Sequence, residues 1–150
     1  MITMTQILAT NRRARFDYEI LETMEAGIVL TGGEIKSVRN GQVNLKGSFI
    51  VIRGGEVWMN HAHISPYKYA PQEGYEPRRH RKLLLKKTEI EKLAGVVDGK
   101  SATIIPLEIY LSHNRAKVKI GLCRGKKKYD KRETIKKRDQ DRQIKQLLKK

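Results

Sequence analysis

The chain has 150 residues, with 32 lysines and arginines against 16 aspartates and glutamates, and thus a formal net charge of +16. This length favours one domain plus an appendage, and so large a positive excess points to nucleic acid, whose phosphates bind basic proteins with release of counterions. The sequence has no membrane-spanning apolar run and no signal-peptide pattern, which argues against a membrane protein. Its one cysteine, Cys123, cannot form an internal disulfide, so we expect a protein of the reducing cytoplasm.

The first predicted elements are a strand and a short helix. Residues 1–10 show no clear pattern and are expected to be loose. Apolar residues alternate over residues 16–21, which predicts a strand, and the chain continues as apolar extended backbone over 26–30. A short helix is predicted over 34–40, because its apolar residues lie three positions apart and Gly41 can terminate it.

A hairpin and a long loop follow. Residues 48–53 and 56–63 are rich in β-branched and aromatic side chains, and they flank the dipeptide Gly54-Gly55, which suits a two-residue hairpin turn. Residues 65–77 contain three prolines and three tyrosines and are predicted to form a loop.

A second helix and a second hairpin complete the folded part. Residues 88–91 read Thr-Glu-Ile-Glu, the spacing of a capping box, so we expect a helix that starts there and ends near Gly95. Residues 102–111 and 116–122 are predicted to pair as a hairpin around a four-residue turn. Pro106 inside the first of these strands predicts a sheet edge or a bulge.

The chain loses its apolar pattern after Gly125. Residues 124–150 hold thirteen basic and four acidic side chains, a net +9 that is more than half of the total. Three apolar residues close to the C-terminus have helical spacing, but the charge repulsion is strong. We therefore predict that residues 126–150 form a flexible basic tail, disordered when free and helical on a binding partner.

The order of elements favours a mainly β fold with short helices. Five or six short strands with one helix before the last hairpin suit a strongly curved antiparallel sheet that closes into a barrel. An SH3-like barrel would also fit, but the interposed helix favours the oligonucleotide-binding (OB) type. We predict an OB-type antiparallel closed barrel over residues 1–125, followed by the flexible basic C-terminal tail.

Basic residues beside aromatic ones are the candidate RNA-binding features. Residues 78–82, Arg-Arg-His-Arg-Lys, follow the tyrosine-rich loop, so cations for phosphates and rings for bases lie close in sequence. Residues 11–15 form another basic cluster. Lys117 and Lys119 alternate with two apolar residues, so this strand can present cations outward while it packs against the core.

Other constellations give weaker signals. His61 and His63 lie two positions apart and would share one face of a strand, but no nearby carboxylate or cysteine completes a metal site. Cys123 precedes Arg124, which would lower a thiol pKa, yet its place at a strand end favours a small core residue. The sequence lacks a phosphate loop, a nucleophile elbow and a metal motif, so we expect no enzymatic activity, metal or cofactor.

Four segments of the chain resemble one bacterial family, small protein B (SmpB), in the family's own order. They read NRRARFDYEILETMEAGIVL, GGEIKSVRNGQVNLKGSF, RRHRKLLLKKTEIEKL and KVKIGLCRGKKKYDKRETIKKRD. The resemblance implies an OB-type barrel with flanking helices that binds the tRNA-like part of transfer-messenger RNA (SsrA RNA) near its elbow. It also implies delivery with elongation factor Tu to a stalled 70S ribosome, where trans-translation adds a degradation tag to the incomplete protein.

The resemblance assigns RNA-contacting roles by position to Glu25, Leu84, Lys86 and Lys117, with Leu84 expected to support packing more than contact. With their basic and aromatic neighbours, the predicted RNA-binding residues are Tyr18, Glu25, Arg81, Lys82, Leu84, Lys86, Lys117, Lys119 and Arg124. The predicted ribosome-interacting residues of the tail are Lys126, Lys127, Lys128, Tyr129, Asp130, Lys131 and Arg132. The resemblance implies that this tail enters the empty message channel and becomes helical there.

Two departures from the family pattern bear on these roles. Tyr129 stands where many relatives have histidine, which preserves stacking but not a role for an imidazolium. Lys86 stands where some relatives have asparagine, which preserves a phosphate contact but not an amide contact. The resemblance implies a monomer, and the alternative that the residues leave open is a constitutive OB-fold protein that binds ribosomal RNA or acts like a translation factor.

Overall fold

The computed structural model describes residues 5–99 and 102–125 of the chain. The described elements are, in order, β1 (Thr5–Thr10), α1 (Arg12–Asp17), β2 (Tyr18–Ile28), α2 (Gly32–Arg39), β3 (Val43–Asn44), β4 (Phe49–Arg53), β5 (Glu56–Asn60), β6 (His63–Ile64), β7 (Arg81–Leu84), α3 (Lys87–Gly99), β8 (Thr103–Ser112) and β9 (Arg115–Gly125). The predicted tail, residues 126–150, lies outside the described residues, and so does its predicted change from disorder to helix.

Six of the strands pair into a closed antiparallel ring. Around the ring the order is β8, β4, β5, β7, β2 and β9, and β9 pairs again with β8. Strand β1 adds to β8, and β3 pairs with β6 in a separate small sheet. The prediction of a mainly β fold with short helices is confirmed. Among the described residues, no helix has the length and apolar character needed to cross a membrane.

Alternating side chains of the ring strands fill one hydrophobic core. The inward residues from the six strands are at most 8% exposed and include Ala26, Ile50, Val57, Met59, Leu83, Ile104, Ile109, Val118, Ile120 and Leu122. Helix α3 adds Leu93, which is 1% exposed. Full burial of a large aliphatic side chain stabilises a fold by about 1.5–3 kcal/mol, so this interior decides which strand residues must face outward.

A smaller apolar cluster lies against the other face of β8 and β9. Its buried members are Ala14, Ile105, Leu107 and Cys123. The pairing of β8 with β9 shifts register between Pro106 and Glu108, which is the bulge that the sequence predicts for Pro106. A Cβ built on Gly121 would lie 2.8 Å from Leu107 Cδ1, so only glycine lets Leu107 pack this closely on β9.

The N-terminal elements differ from the prediction. Residues 16–17 belong to α1 rather than to a strand, because the Asn11 side chain accepts a hydrogen bond from the Ala14 N–H and caps a helix there. The strand β2 therefore begins at Tyr18. Residues 5–10 are not loose, as the sequence suggested, but pair with β8 as strand β1.

Helix α2 begins two residues earlier than predicted. Thr31 is its N-cap, and the side chains of Thr31 and Glu34 form a reciprocal capping box with the backbone. The helix ends at Arg39, and Gly41 follows with a φ of 73°, in the left-handed region that favours glycine. The predicted end of this helix is thus confirmed, and its predicted start is wrong.

Helix α3 also begins differently from the prediction. It starts at Lys87, so Thr88 lies inside the helix and does not cap it. The Glu89 carboxylate instead accepts a hydrogen bond from the Lys86 N–H at 2.9 Å. The helix continues past its predicted end to Gly99, because its last turns carry apolar residues that pack on the core.

Both predicted hairpins are confirmed. The first turns through Gly54 and Gly55, whose φ values are 60° and 75°. The second turns through His113 and Asn114, which also have positive φ values. This second hairpin fixes the register of β9 against β8, and so it decides which side chains lie beside Lys117.

Candidate nucleic-acid interface

Strand β9 carries two lysines on the outer surface of the ring. Val118 and Ile120 point inward and are 0% and 1% exposed, whereas Lys117 and Lys119 at the alternate positions are partly exposed. The predicted alternation is therefore confirmed. Lys119 lies opposite Glu25 of β2 and opposite an acidic residue of β8, so this surface has mixed charge and is not a purely positive patch.

Glu25, Tyr110 and Lys117 form a cluster on this surface, referred to below as the outer cluster. The Tyr110 hydroxyl donates a hydrogen bond to Glu25 Oε2, and Lys117 Nζ lies 3.4 Å from Glu25 Oε1. The Tyr110 hydrogen bond and the nearby Lys117 ammonium hold the pKa of Glu25 below its usual value, although partial burial opposes them. Burial and the Glu25 carboxylate together raise the pKa of Tyr110. At neutral pH the phenol is thus a donor and the carboxylate an acceptor.

The outer cluster can recognise more than phosphate. The Glu25 side chain is 54% exposed, and its free lone pairs can accept hydrogen bonds from a base N–H or a ribose 2′-OH, while the lysines bind phosphate. An adjoining open groove of about 410 Å³ is lined by Thr5, Ile7, Thr23, Met24, Glu25, Glu108, Tyr110 and Lys119. Tyr110 is not among the predicted RNA-binding residues. Its position opposite Lys117 across the second predicted hairpin is the feature of the sequence that indicates it.

Leu84 extends the outer surface from β2 to β7. Gly27 of β2 pairs with Lys117 on one side and with Leu84 on the other. A Cβ on Gly27 would lie 3.3 Å from the Leu84 Cβ, so the leucine covers the bare glycine backbone. Leu84 nevertheless remains 53% exposed. A role in packing alone does not account for that exposure.

Two further predicted cations flank Leu84. Lys82, on the same outward face of β7, has its Nζ 3.3 Å from Glu56 Oε1, and the lysine side chain is 41% exposed. Lys86 is exposed just after β7 ends. A solvent-exposed ion pair such as Lys82–Glu56 is worth only about 0–1 kcal/mol. Both ammonium groups can therefore turn to a phosphate at little cost.

Tyr18 and Arg124 lie at the opposite end of β9 from the outer cluster. Tyr18 pairs with Gly125, and Arg124 Nη2 lies 2.8 Å from Glu19 Oε2. About 23 Å of strand separates Arg124 from Lys117, so the structure does not bring these predicted RNA-binding residues together. They lie where the chain leaves the ring. The seven predicted tail residues, Lys126 to Arg132, fall outside the described residues.

Arg81 is a structural residue, and the prediction that it contacts RNA is wrong. It lies on the inner face of β7 and is 0% exposed. Its Nε and Nη2 atoms lie 2.7 and 2.6 Å from Glu34 Oε2. Its other hydrogen bonds go to the carbonyls of Ala62, Pro77 and Arg79 and to the Tyr75 hydroxyl. A buried guanidinium engaged in this way has no donor left for a phosphate.

Glu34 is the centre of this inner cluster, which comprises Glu34, Tyr75, Arg79 and Arg81. Burial opposes ionisation of Glu34, but hydrogen bonds from Arg79 and the Thr31 N–H and the charge of Arg81 outweigh it and lower the pKa to about 2. The cluster joins the start of α2 to residues 65–81. The basic run at 78–82 is thereby split, since two of its arginines bind Glu34 while Arg78 and His80 remain exposed.

The tyrosine-rich loop forms an open groove of about 370 Å³ at the start of α2. Its lining residues are Thr31, Gly32, Gly33, Glu34, Pro66, Tyr67, Ala70, Pro71, Glu73, Gly74 and Tyr75. A Cβ on Gly33 would lie 3.0 Å from the Ala70 Cβ, so the loop packs directly on the helix. Tyr69 is 77% exposed, and Lys68 Nζ lies 5.4 Å from its ring centre. The expected proximity of cations and rings thus occurs within the loop itself.

Neither the histidine pair nor the cysteine forms a reactive site in the described residues. His61 has a φ of 67° and lies between β5 and β6, so it does not share a strand face with His63, contrary to the prediction. No group of three histidine, cysteine or acidic side chains in residues 5–99 and 102–125 is placed to hold a metal ion. Cys123 is 0% exposed, and burial raises its pKa to about 11, which fits the predicted core role.

Comparison with known proteins places the chain in one family. The family model described as SmpB protein matches residues 8–150. The chain belongs to the SmpB family. The SsrA-binding protein of Streptococcus mutans is 54% identical over 143 residues, which cover 95% of this chain and 92% of that protein. The SsrA-binding protein of Lactiplantibacillus plantarum is 56% identical over 142 residues, which cover 95% of this chain and 91% of that protein.

A solved SmpB structure has the same fold. It is described as "tmRNA-SmpB: a journey to the center of the bacterial ribosome", and it superposes with a TM-score of 0.68 at 48% sequence identity. The match covers 82% of this chain and 86% of the solved chain. The resemblance drawn from the four sequence segments is thereby confirmed at the level of family and fold.

Proposed function

We propose that this SmpB-family protein binds transfer-messenger RNA and brings it to stalled ribosomes for trans-translation. The observation that carries the proposal is the outer cluster. Its Glu25 carboxylate is an acceptor that the Tyr110 hydroxyl orients, and Lys117 supplies a cation beside it. The exposed Leu84 lies next to this cluster. Relatives covering nearly the whole chain are SsrA-binding proteins, and a solved relative is described with tmRNA and the ribosome. These similarities support RNA binding over a metal-dependent or thiol-based reaction.

The protein acts by placement and not by catalysis. The strand ring, which we assign to the OB type, presents the outer cluster to the tRNA-like part of the RNA. Lys117 and Lys119 bind phosphate, while Glu25 accepts from a base or a 2′-OH. Lys82, Lys86 and Leu84 continue the same contact surface. Tyr18 and Arg124, at the far end of β9, contact RNA where the chain leaves the ring.

The tail binds the ribosome, whereas the ring binds transfer-messenger RNA. Residues 126–150 enter the empty message channel of the ribosome and become helical there, with Lys126 to Arg132 in contact with it. The protein travels as a monomer, with elongation factor Tu in the delivery complex, in the cytoplasm. The strong positive charge of residues 124–150 supports contact with ribosomal RNA.

Recovery of bound RNA from cell lysate tests the proposal. The tagged full chain should retain transfer-messenger RNA in near-stoichiometric yield. Recovery of ribosomal RNA alone would instead support the constitutive ribosomal-RNA-binding alternative. Deletion of residues 129–150 should leave this RNA binding largely intact and abolish tagging on stalled ribosomes. Full tagging by the truncated chain would overturn the division of labour between ring and tail.

A further inference from the structure

The outer surface of the ring continues beyond Leu84 to the only tryptophan of the chain. Val29, the residue that follows β2, lies beside Lys82 of β7, since the Val29 N–H donates to the Lys82 carbonyl at 3.0 Å. Lys82 in turn pairs with Trp58 of β5, and Trp58 pairs with Val51 of β4. These four residues therefore form one row that runs from the end of β2 across β7, β5 and β4.

Every member of this row points away from the core. In β5 the alternate residues Val57 and Met59 are both 0% exposed, so Trp58 between them faces outward and is only partly covered. Val29 is 47% exposed, and Leu84 in the adjacent row is 53% exposed. The packed interior thus makes no use of the indole ring. Val29 and Leu84 are thus exposed, Trp58 and Val51 are partly exposed, and Lys82 lies among them. Exposed apolar surface bordered by polar groups marks contact sites.

We propose that the RNA-binding surface extends across β7 and β5, and that Trp58 stacks on an unpaired base of the tRNA-like part of transfer-messenger RNA. The inference rests on the proposed function and adds to it a base-stacking residue and one further strand, β5. Trp58 is partly exposed and lies beside the cation Lys82. An accessible aromatic face next to a cation can bind an unpaired base, since every base offers a π-face and each nucleotide a phosphate.

Charge and position favour RNA over an apolar protein segment as the occupant. Lys82 lies within the row beside Trp58, so an apolar helix or strand seated there would bury its ammonium group or displace it. A phosphate would instead replace the Glu56 carboxylate that Lys82 now contacts at 3.3 Å. The row also joins the proposed contact surface at β7, because Lys82 and Leu84 lie two residues apart on the same outward face of that strand.

Trp58 is the one tryptophan in the sequence, so its fluorescence reports on this site in the unmodified protein. Titration of the full-length protein with the isolated tRNA-like fragment of transfer-messenger RNA should quench and shift Trp58 emission. The change should saturate at the Kd measured independently by gel shift. Trp58→Ala should weaken binding about tenfold, the size expected for loss of one stacked base, and Trp58→Phe should restore most of the affinity.

Two results together would overturn the inference and leave the proposed function standing. The RNA would bind without any change in Trp58 emission, and the Trp58→Phe variant and a folded Trp58→Ala variant would bind it with equal affinity. Absence of RNA binding by the unmodified chain would overturn the proposed function itself.

Discussion

Two clusters of the same chemical groups have different environments in this molecule. The inner cluster joins Glu34 to Arg81 and Tyr75, and the outer cluster joins Glu25 to Lys117 and Tyr110. Both the Glu34 and Arg81 side chains are 0% exposed, whereas those of Glu25 and Lys117 are 54% and 31% exposed. A carboxylate, a cation and a phenol are thus used once inside the fold and once on its surface.

Burial decides what each cluster can do. In the inner cluster the arginine donors are engaged by protein acceptors, so the cluster can stabilise the loop over α2 but cannot bind a ligand. In the outer cluster the carboxylate and the ammonium keep free hydrogen-bonding capacity toward solvent. Because exposed ion pairs contribute little to stability, the outer cluster can exchange its contacts for those of RNA.

The largest expected effect is that of Glu34→Gln on stability. The change leaves two arginines next to a neutral amide, and loss of one partner of a buried ion pair costs about 3–5 kcal/mol. Urea denaturation should show this drop in the free energy of unfolding. Glu25→Gln is the matched control and should change the same quantity by less than about 1 kcal/mol. Equal losses in the two variants would remove the distinction between the clusters.

Acid should weaken the inner cluster. The pKa of Glu34 is lowered from 4.5 to about 2 in the folded protein, so its stabilising contribution is complete above about pH 4.5 and is lost as the pH falls toward 2. This contribution is on the order of 3 kcal/mol. Thermal unfolding of the wild type across this range should show the loss. The Glu34→Gln protein should lack that component, and parallel curves for the two proteins would contradict the assignment.

Lys117→Ala should weaken RNA binding and leave the fold intact. Loss of one phosphate contact reduces the slope of log affinity against log salt by about one unit at most. Affinity for the tRNA-like fragment, measured at several salt concentrations, gives this slope. Lys36→Ala, which removes an exposed lysine of α2, is the control for a general charge effect. An unchanged slope in Lys117→Ala would exclude Lys117 from the phosphate contacts.

The smallest expected effect is that of Tyr110→Phe. The variant removes the hydroxyl that donates to Glu25 and so raises the pKa of that carboxyl toward its usual value. We expect RNA affinity to fall by about twofold to tenfold, the range of one hydrogen bond. Lowering the pH should weaken binding at a higher pH in the variant than in the wild type. Identical pH profiles would show that Tyr110 does not orient Glu25.

Local signals in the sequence predicted most of the strands, and they failed where a side chain capped a helix. Both hairpins were predictable, because Gly54-Gly55 and the turn after β8 have strong turn chemistry. The sequence does not predict the helix over Arg12–Asp17, because its N-cap depends on the position of Asn11. A hydrogen bond of 3.0 Å from the Asn11 amide to the carbonyl of Pro106, which is 95 residues further along the chain, helps to fix that position. Strand β1 was missed for a similar reason, because only its pairing with β8 orders it.

The candidate site was predictable in part. Alternation placed Lys117 and Lys119 outward, and four ordered segments identified the family. Arg81 was misassigned, because a basic run reads as a solvated surface unless the buried carboxylate opposite it is known. Tyr110 and Trp58 were not selected, since their importance comes from the strands that lie beside them.

The net charge, the strand alternation and the family can all be read from the amino-acid sequence, because they depend on composition and on the identity of near neighbours. Which cations reach solvent depends instead on the three-dimensional fold. Arg81 and Lys82 are adjacent in the chain, yet one is buried against Glu34 and the other reaches solvent. The reason is the pleat of the strand, which sends neighbouring side chains to opposite faces, together with the closed ring, which makes one of those faces the core.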